Sequence, residues 1–99
     1  MKIKTLSDFK TSLSLIQPPV ELTPYERALW YAGKGDWERA HNIVQEMNDS
    51  ASSLIHAFLH RQEGDLSNAR YWYEKAGSHL PVNTIDEEWE YLVNKFLAV

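Results

Sequence analysis

Residues 35–40 read GDWERA and residues 64–69 read GDLSNA, so one short pattern occurs twice in the chain. The copies align with one offset of 29, since 64 minus 35 and 69 minus 40 give the same difference. The glycine tolerates a left-handed turn, the aspartate can cap the following helix, and the alanine lets two helices approach closely. The sequence therefore predicts a duplicated helical hairpin.

Helix start and stop signals lie outward from both bends. Thr23 and Glu26 form a capping box and so do Thr84 and Glu87, while apolar residues recur at helical spacing between the breaks. No alternating apolar and polar segment of strand length occurs. We expect a single all-α domain over residues 1–99, with about six helices. Caps and apolar stripes place them at about residues 7–16, 24–34, 37–47, 51–64, 66–76 and 84–97.

The second helix of each predicted hairpin resembles that of the tetratricopeptide repeat family. The family's small residue, aromatic, alanine and proline stand in the second copy at Ala69, Tyr73, Ala76 and Pro81. The first copy keeps the small residue as Ala40, and the resemblance covers residues 24–81. It implies two antiparallel hairpins that bind a protein or peptide. Since about three repeats are normally needed for stability, we expect the first and last helices to act as caps, or a second copy of the protein to cover the open end.

Composition and charge exclude several classes of function. The net charge of −4 and the scattered cations give no surface that could follow a phosphate backbone, so nucleic acid is not an expected ligand. Without cysteine there is no disulfide framework, thiol nucleophile or thiolate metal site. Residues 1–17 lack the apolar core of a secretory signal, and no apolar run is long enough to span a bilayer. We expect a cytoplasmic protein that does not bind membranes.

The histidines carry the sharpest chemical signal in the sequence. His56, His60 and Glu63 follow each other at i, i+4 and i+7, which places three potential metal ligands along one side of a helix. The structural alternative, which the family resemblance implies, is that both histidines face the partner helix of the same hairpin and hydrogen-bond inside the core. His41 and His79 are isolated in the sequence and are predicted to be surface residues.

Arginine and aromatic residues follow the histidines and are typical of recognition surfaces. Trp30 is adjacent to Tyr31 on a helix, so one of the two is predicted to meet a flanking helix or a partner. The alternative for the second hairpin is structural: Trp72 and Tyr73 lie in the core, and Arg61 or Arg70 pairs with Glu63 or Glu74. The residues predicted to bind a partner are Trp30, His56, His60, Arg61, Glu63, Arg70, Tyr71 and Trp72.

Neither a nucleophile elbow, a phosphate-binding loop, a zincin pair nor a cysteine dyad occurs in the sequence, so we do not expect an enzyme and expect no cofactor. The first functional hypothesis is a non-enzymatic interaction or assembly module, which binds a peptide, a protein segment or another copy of itself. The alternative hypothesis is a protein that binds a small ligand or a metal through His56, His60 and Glu63.

Overall fold

The computed structural model describes residues 2–98, which form an all-helical fold with no strand in that range. Each predicted helix is present, most with ends within a few residues of expectation. The helices are α1 (Leu6–Ser12), α2 (Pro24–Gly33), α3 (Trp37–Gln45), α4 (Ser50–Gln62), α5 (Leu66–Lys75) and α6 (Ile85–Leu97).

The two Gly-Asp bends have the same geometry, which confirms the duplicated hairpin. Gly35 and Gly64 adopt φ values of 81° and 90°, in the left-handed region that favours glycine. The side chains of Asp36 and Asp65 cap α3 and α5. The backbone N–H of Asp36 donates to Tyr31 at 2.9 Å, and that of Asp65 donates to His60 at the same distance. Each bond therefore maps onto the other at the offset of 29.

Ala40 and Ala69 are both fully buried, and their small side chains let the two helices of each hairpin pack closely. The bends fold α3 onto α2 and α5 onto α4, and the contact between α3 and α4 joins the two hairpins.

Helix α6 does not extend the row of hairpins. It packs against α2 and α4, the first helices of both hairpins, and α1 packs against α6. Trp89 anchors it, since its indole N–H donates to the carbonyl of Leu29 at 2.8 Å and its ring meets Phe9 edge to face. The face that α2 and α4 would otherwise share is therefore covered by the chain's own last helix.

Helix α1 is shorter than predicted. The apolar spacing predicted a helix to Ile16, but α1 ends at Ser12, and Ile16 is 93% exposed. The hydroxyls of Ser12 and Ser14 bond to the carbonyls of Phe9 and Thr11, and such local bonds compete with continued helix.

Within residues 2–98, no helix combines the length and the apolar character that crossing a membrane requires.

Candidate histidine centre

Three histidines from two hairpins meet at the contact between α3 and α4. Nε2 of His41 on α3 lies 3.0 Å from Nε2 of His56 on α4. His60, one turn after His56, stacks on it with ring centroids 4.9 Å apart. One nitrogen from each ring lies within 4.8 Å of the other two. We call His41, His56 and His60 the histidine centre.

Two tryptophans hold the rings of this centre in place. The ring of Trp37 stacks on His41 at 4.6 Å, and its N–H donates to the carbonyl of Leu59 at 2.6 Å, which ties α3 to α4. Trp72 on α5 stacks on His56 with centroids 3.8 Å apart and planes 11° apart. The ring of His56 is therefore held by a neighbouring helix, and the ring of His41 by a tryptophan one turn earlier on its own helix.

Glu63 orients the third ring. Its Oε2 lies 2.7 Å from Nδ1 of His60, and the carboxylate is partly exposed. A hydrogen bond to one imidazole nitrogen fixes the ring and directs the other nitrogen. Nε2 of His60 is therefore the nitrogen that can donate a lone pair to a further ligand.

The centre is buried and electrically neutral at two of its rings. His56 and His60 are 5% and 6% exposed, whereas His41 is half-buried. Burial, followed by the charges that His41 and His60 would carry, lowers the pKa of His56 to about 4. Burial also lowers the pKa of His41, with His60 acting in the same direction. At neutral pH both rings are uncharged, the form in which imidazole can donate a lone pair.

The sequence hypothesis grouped His56, His60 and Glu63 on one helix, whereas the structure brings His56 and His60 together with His41 and leaves Glu63 outside this group. The prediction that His41 is a surface residue was wrong, because it completes the cluster from the other hairpin. Trp37 and His41 are themselves spaced i, i+4, so the same helical rule would have revealed a second face carrying an aromatic and an imidazole. His79 is exposed, as predicted.

Arg61 has a structural partner that the sequence did not indicate. The guanidinium donates to Glu88 of α6 at 2.8 Å and to the carbonyl of Asn83. The hydroxyl of Tyr73 also lies 2.7 Å from the Glu88 carboxylate. The sequence alternative paired Arg61 or Arg70 with Glu63 or Glu74, but the ion pair of Arg61 is with Glu88, so Arg61 connects the second hairpin to α6.

The remaining predicted binding residues fall into two groups. Trp30 is 1% exposed, and its indole N–H donates to the hydroxyl of Ser12 on α1 at 3.1 Å. Trp30 was predicted to meet either a flanking helix or a partner, and it meets the flanking helix. Arg70 and Tyr71 lie on the outer surface of α5, where Tyr71 is 55% exposed and contacts Trp72 edge to face. These two residues are accessible but lie outside the histidine centre.

A separate cleft of about 810 Å³ lies between the second hairpin and α6. It is bounded by residues 50–54, 76–83 and 88–95, and we call it the α6 cleft. Val82 and Tyr91 line it and are largely exposed. No family model, curated protein or solved structure matches this chain.

Proposed function

We propose that this protein is a non-enzymatic binding module whose histidine centre holds a divalent transition-metal ion. The observation that carries the proposal is the convergence of His41, His56 and His60 from two hairpins. Imidazole suits zinc, copper, nickel and iron, whereas magnesium and calcium prefer oxygen ligands. The chemistry of the donors thus selects the late first-row ions, among which zinc is the reference case.

The geometry needs only a small adjustment to accept zinc. With zinc–nitrogen bonds of about 2.0–2.1 Å, tetrahedral ligand nitrogens lie about 3.3 Å apart. The 3.0 Å between His41 and His56 must open slightly, and the widest separation in the centre, at most 4.8 Å, must close. Glu63 already forms the outer hydrogen bond that accompanies metal-binding histidines.

Zinc titration tests this function. At free zinc a hundredfold above the dissociation constant, a site present only in the folded state adds about 2.7 kcal/mol to the free energy of unfolding. For a domain of this size we expect the melting temperature to rise by about 10–20 °C. Calorimetry should give one ion per chain.

Paired variants make the titration specific. We expect His41→Gln to lose most of the zinc-induced stabilisation, since it removes one ligand while keeping a side chain of similar length. His79→Gln changes an exposed histidine outside the centre and should behave as the wild type. Equal zinc shifts in the two variants would show that the ion binds elsewhere and would rule out the proposal.

A protein-interaction function of tetratricopeptide type is the second candidate, and the α6 cleft supports it. Since α6 covers the face of α2 and α4, a partner segment needs another surface. The cleft offers such a surface, and its rim carries exposed apolar side chains, among them Val82.

Site-directed photo-crosslinking tests this second function. A photoreactive side chain at position 82 should yield one discrete adduct, either a dimer of this chain or a complex with another protein. The same probe at the exposed Glu38, outside the cleft, should not. If both positions give the same adducts, or none, the cleft is not an interaction site.

A further inference from the structure

We infer that the ion in the histidine centre keeps one coordination position open, and that this position binds a small monodentate anion from solution. The inference rests on the metal site proposed above and adds a second ligand to it. It follows from the number of protein donors, from the engagement of Glu63 and from the access to the centre.

The protein supplies three donors at this place. Among residues 2–98, the group of ligand atoms that includes His41, His56 and His60 contains no fourth histidine, cysteine, aspartate or glutamate. Glu63 and Asp65 form another group, which shares only His60 with the centre. Zinc and related ions take at least four ligands, and sites with three protein donors fill the next position from solution.

Glu63 is the obvious competitor for the open position, and its geometry excludes it. Its carboxylate is held 2.7 Å from Nδ1 of His60. An ion bound at Nε2 lies on the opposite edge of that ring, so Glu63 would have to give up its hydrogen bond and pass around the imidazole. Trp37 and Trp72 stack on the other two rings and oppose the rearrangement that would bring another donor inward.

Solution can reach the centre. His41 is half-buried, whereas His56 and His60 are buried. Access is expected from the side of His41, the most exposed of the three histidines.

Charge selects an anion for the open position. Three imidazole ligands bring no negative charge into the coordination shell of a divalent ion, and the Glu63 carboxylate outside that shell offsets only part of its double positive charge. A small anion that replaces the bound water reduces this charge. Azide is a suitable probe because it is a small anion that binds through one terminal nitrogen.

Cobalt(II) in place of zinc reports the binding of the ion and the binding of the anion separately, through its visible d–d bands. Protein with one equivalent of cobalt is titrated with azide, and the spectrum is recorded for the wild type, Glu63→Gln and His41→Gln. We expect protein-dependent cobalt bands in the wild type, followed by a saturable shift that fits one azide per ion. Glu63→Gln keeps an acceptor oxygen for Nδ1 of His60 but is expected to bind cobalt more weakly, so this variant is first saturated with cobalt. It should then show the same azide shift, since Glu63 is not the competing ligand.

Each contrary outcome has its own meaning. Cobalt bands that do not respond to azide would overturn the open position and leave the metal site intact. An azide shift found only after Glu63→Gln would show that Glu63 occupies the position in the wild type, which also overturns the inference. Wild-type bands no different from those of His41→Gln would refute the metal site itself and, with it, the inference.

Discussion

The substitution Arg61→Met removes the cation of a buried ion pair with Glu88 of α6. Its effect can be compared with the loss of an exposed ion pair on the same helix. The side chains of Arg61 and Glu88 are 11% and 3% exposed, and they lie 2.8 Å apart. Methionine fills a similar volume but leaves the Glu88 carboxylate buried with the hydroxyl of Tyr73 as its remaining side-chain donor. Removing one partner of a buried pair costs about 3–5 kcal/mol, because the other charge loses its compensation. We expect a loss in this range.

The matched control is Lys10→Met. Lys10 pairs with Glu90, two residues further along α6, but these side chains are 48% and 41% exposed. An exposed pair contributes about 0–1 kcal/mol, since water screens both charges. The two substitutions remove one cation each, so their difference measures burial of the pair together with the hydrogen bonds of Arg61 to Asn83.

Urea unfolding followed by tryptophan fluorescence measures both losses. The double variant Arg61→Met with Glu88→Gln provides a test of sign: the amide can still accept from Tyr73 and carries no charge, so the second substitution should restore part of the lost free energy of unfolding. If Arg61→Met costs no more than Lys10→Met, or if adding Glu88→Gln only lowers stability further, the account of this network is wrong.

Two further predictions concern other contacts. Gly33→Ala places a methyl group 2.7 Å from the ring of Trp89. It should therefore lower the free energy of unfolding by about 1–3 kcal/mol, although alanine is ordinarily the better helix former. In thermal unfolding, the variant should melt below the wild type. Asp49 accepts hydrogen bonds from the Tyr25 hydroxyl and from the backbone of α4, which lower its carboxyl pKa below 3.8. Its ionised form therefore stabilises the fold above that pH, and the stability advantage of the wild type over Asp49→Asn should shrink as the pH falls from about 5 to about 2, as measured by urea unfolding at each pH. An advantage that stays constant over this range would contradict the assignment.

The hairpins could be predicted because their signals are local. Gly35 and Asp36 determine the bend with residues no more than five positions away, and the second copy at Gly64 and Asp65 repeats the same bonds. Capping boxes at Thr23 and Thr84 act over three residues and were also predicted. Such features need no knowledge of which helix packs on which.

The position of α6 could not be predicted, because it depends on contacts between distant parts of the chain. Its broad apolar face suits the end of a row of hairpins as well as the face of α2 and α4. Arg61 shows the same limit: Glu63 and Glu74 are closer in sequence, but packing brings Glu88 to it. A pairing rule based on spacing within a helix misses partners that arrive from another helix.

The histidine centre depends both on local spacing along one helix and on a contact between distant parts of the chain. His56 and His60 share a face of α4 by spacing alone, and this was predicted. His41 joins them only because α3 packs against α4, and its role emerges from that contact. The candidate site was therefore predictable as a histidine pair on one helix, but not as a centre that spans two hairpins.

Because His41 lies on α3 and the other two histidines lie on α4, hydrogen exchange can show whether an ion binds to both helices. An ion bound by all three rings must oppose any opening that carries His41 away from α4, so zinc should slow amide exchange in α3 as well as in α4. An ion bound only by His56 and His60 would raise the free energy of global unfolding but would not oppose local opening of α3. Hydrogen exchange of residues 37–45, with and without zinc, distinguishes these cases. We expect strong zinc-dependent protection of this segment in the wild type and little in His41→Gln. Equal protection in both proteins would mean that α3 takes no part in binding, and the proposed site would reduce to a pair on one helix.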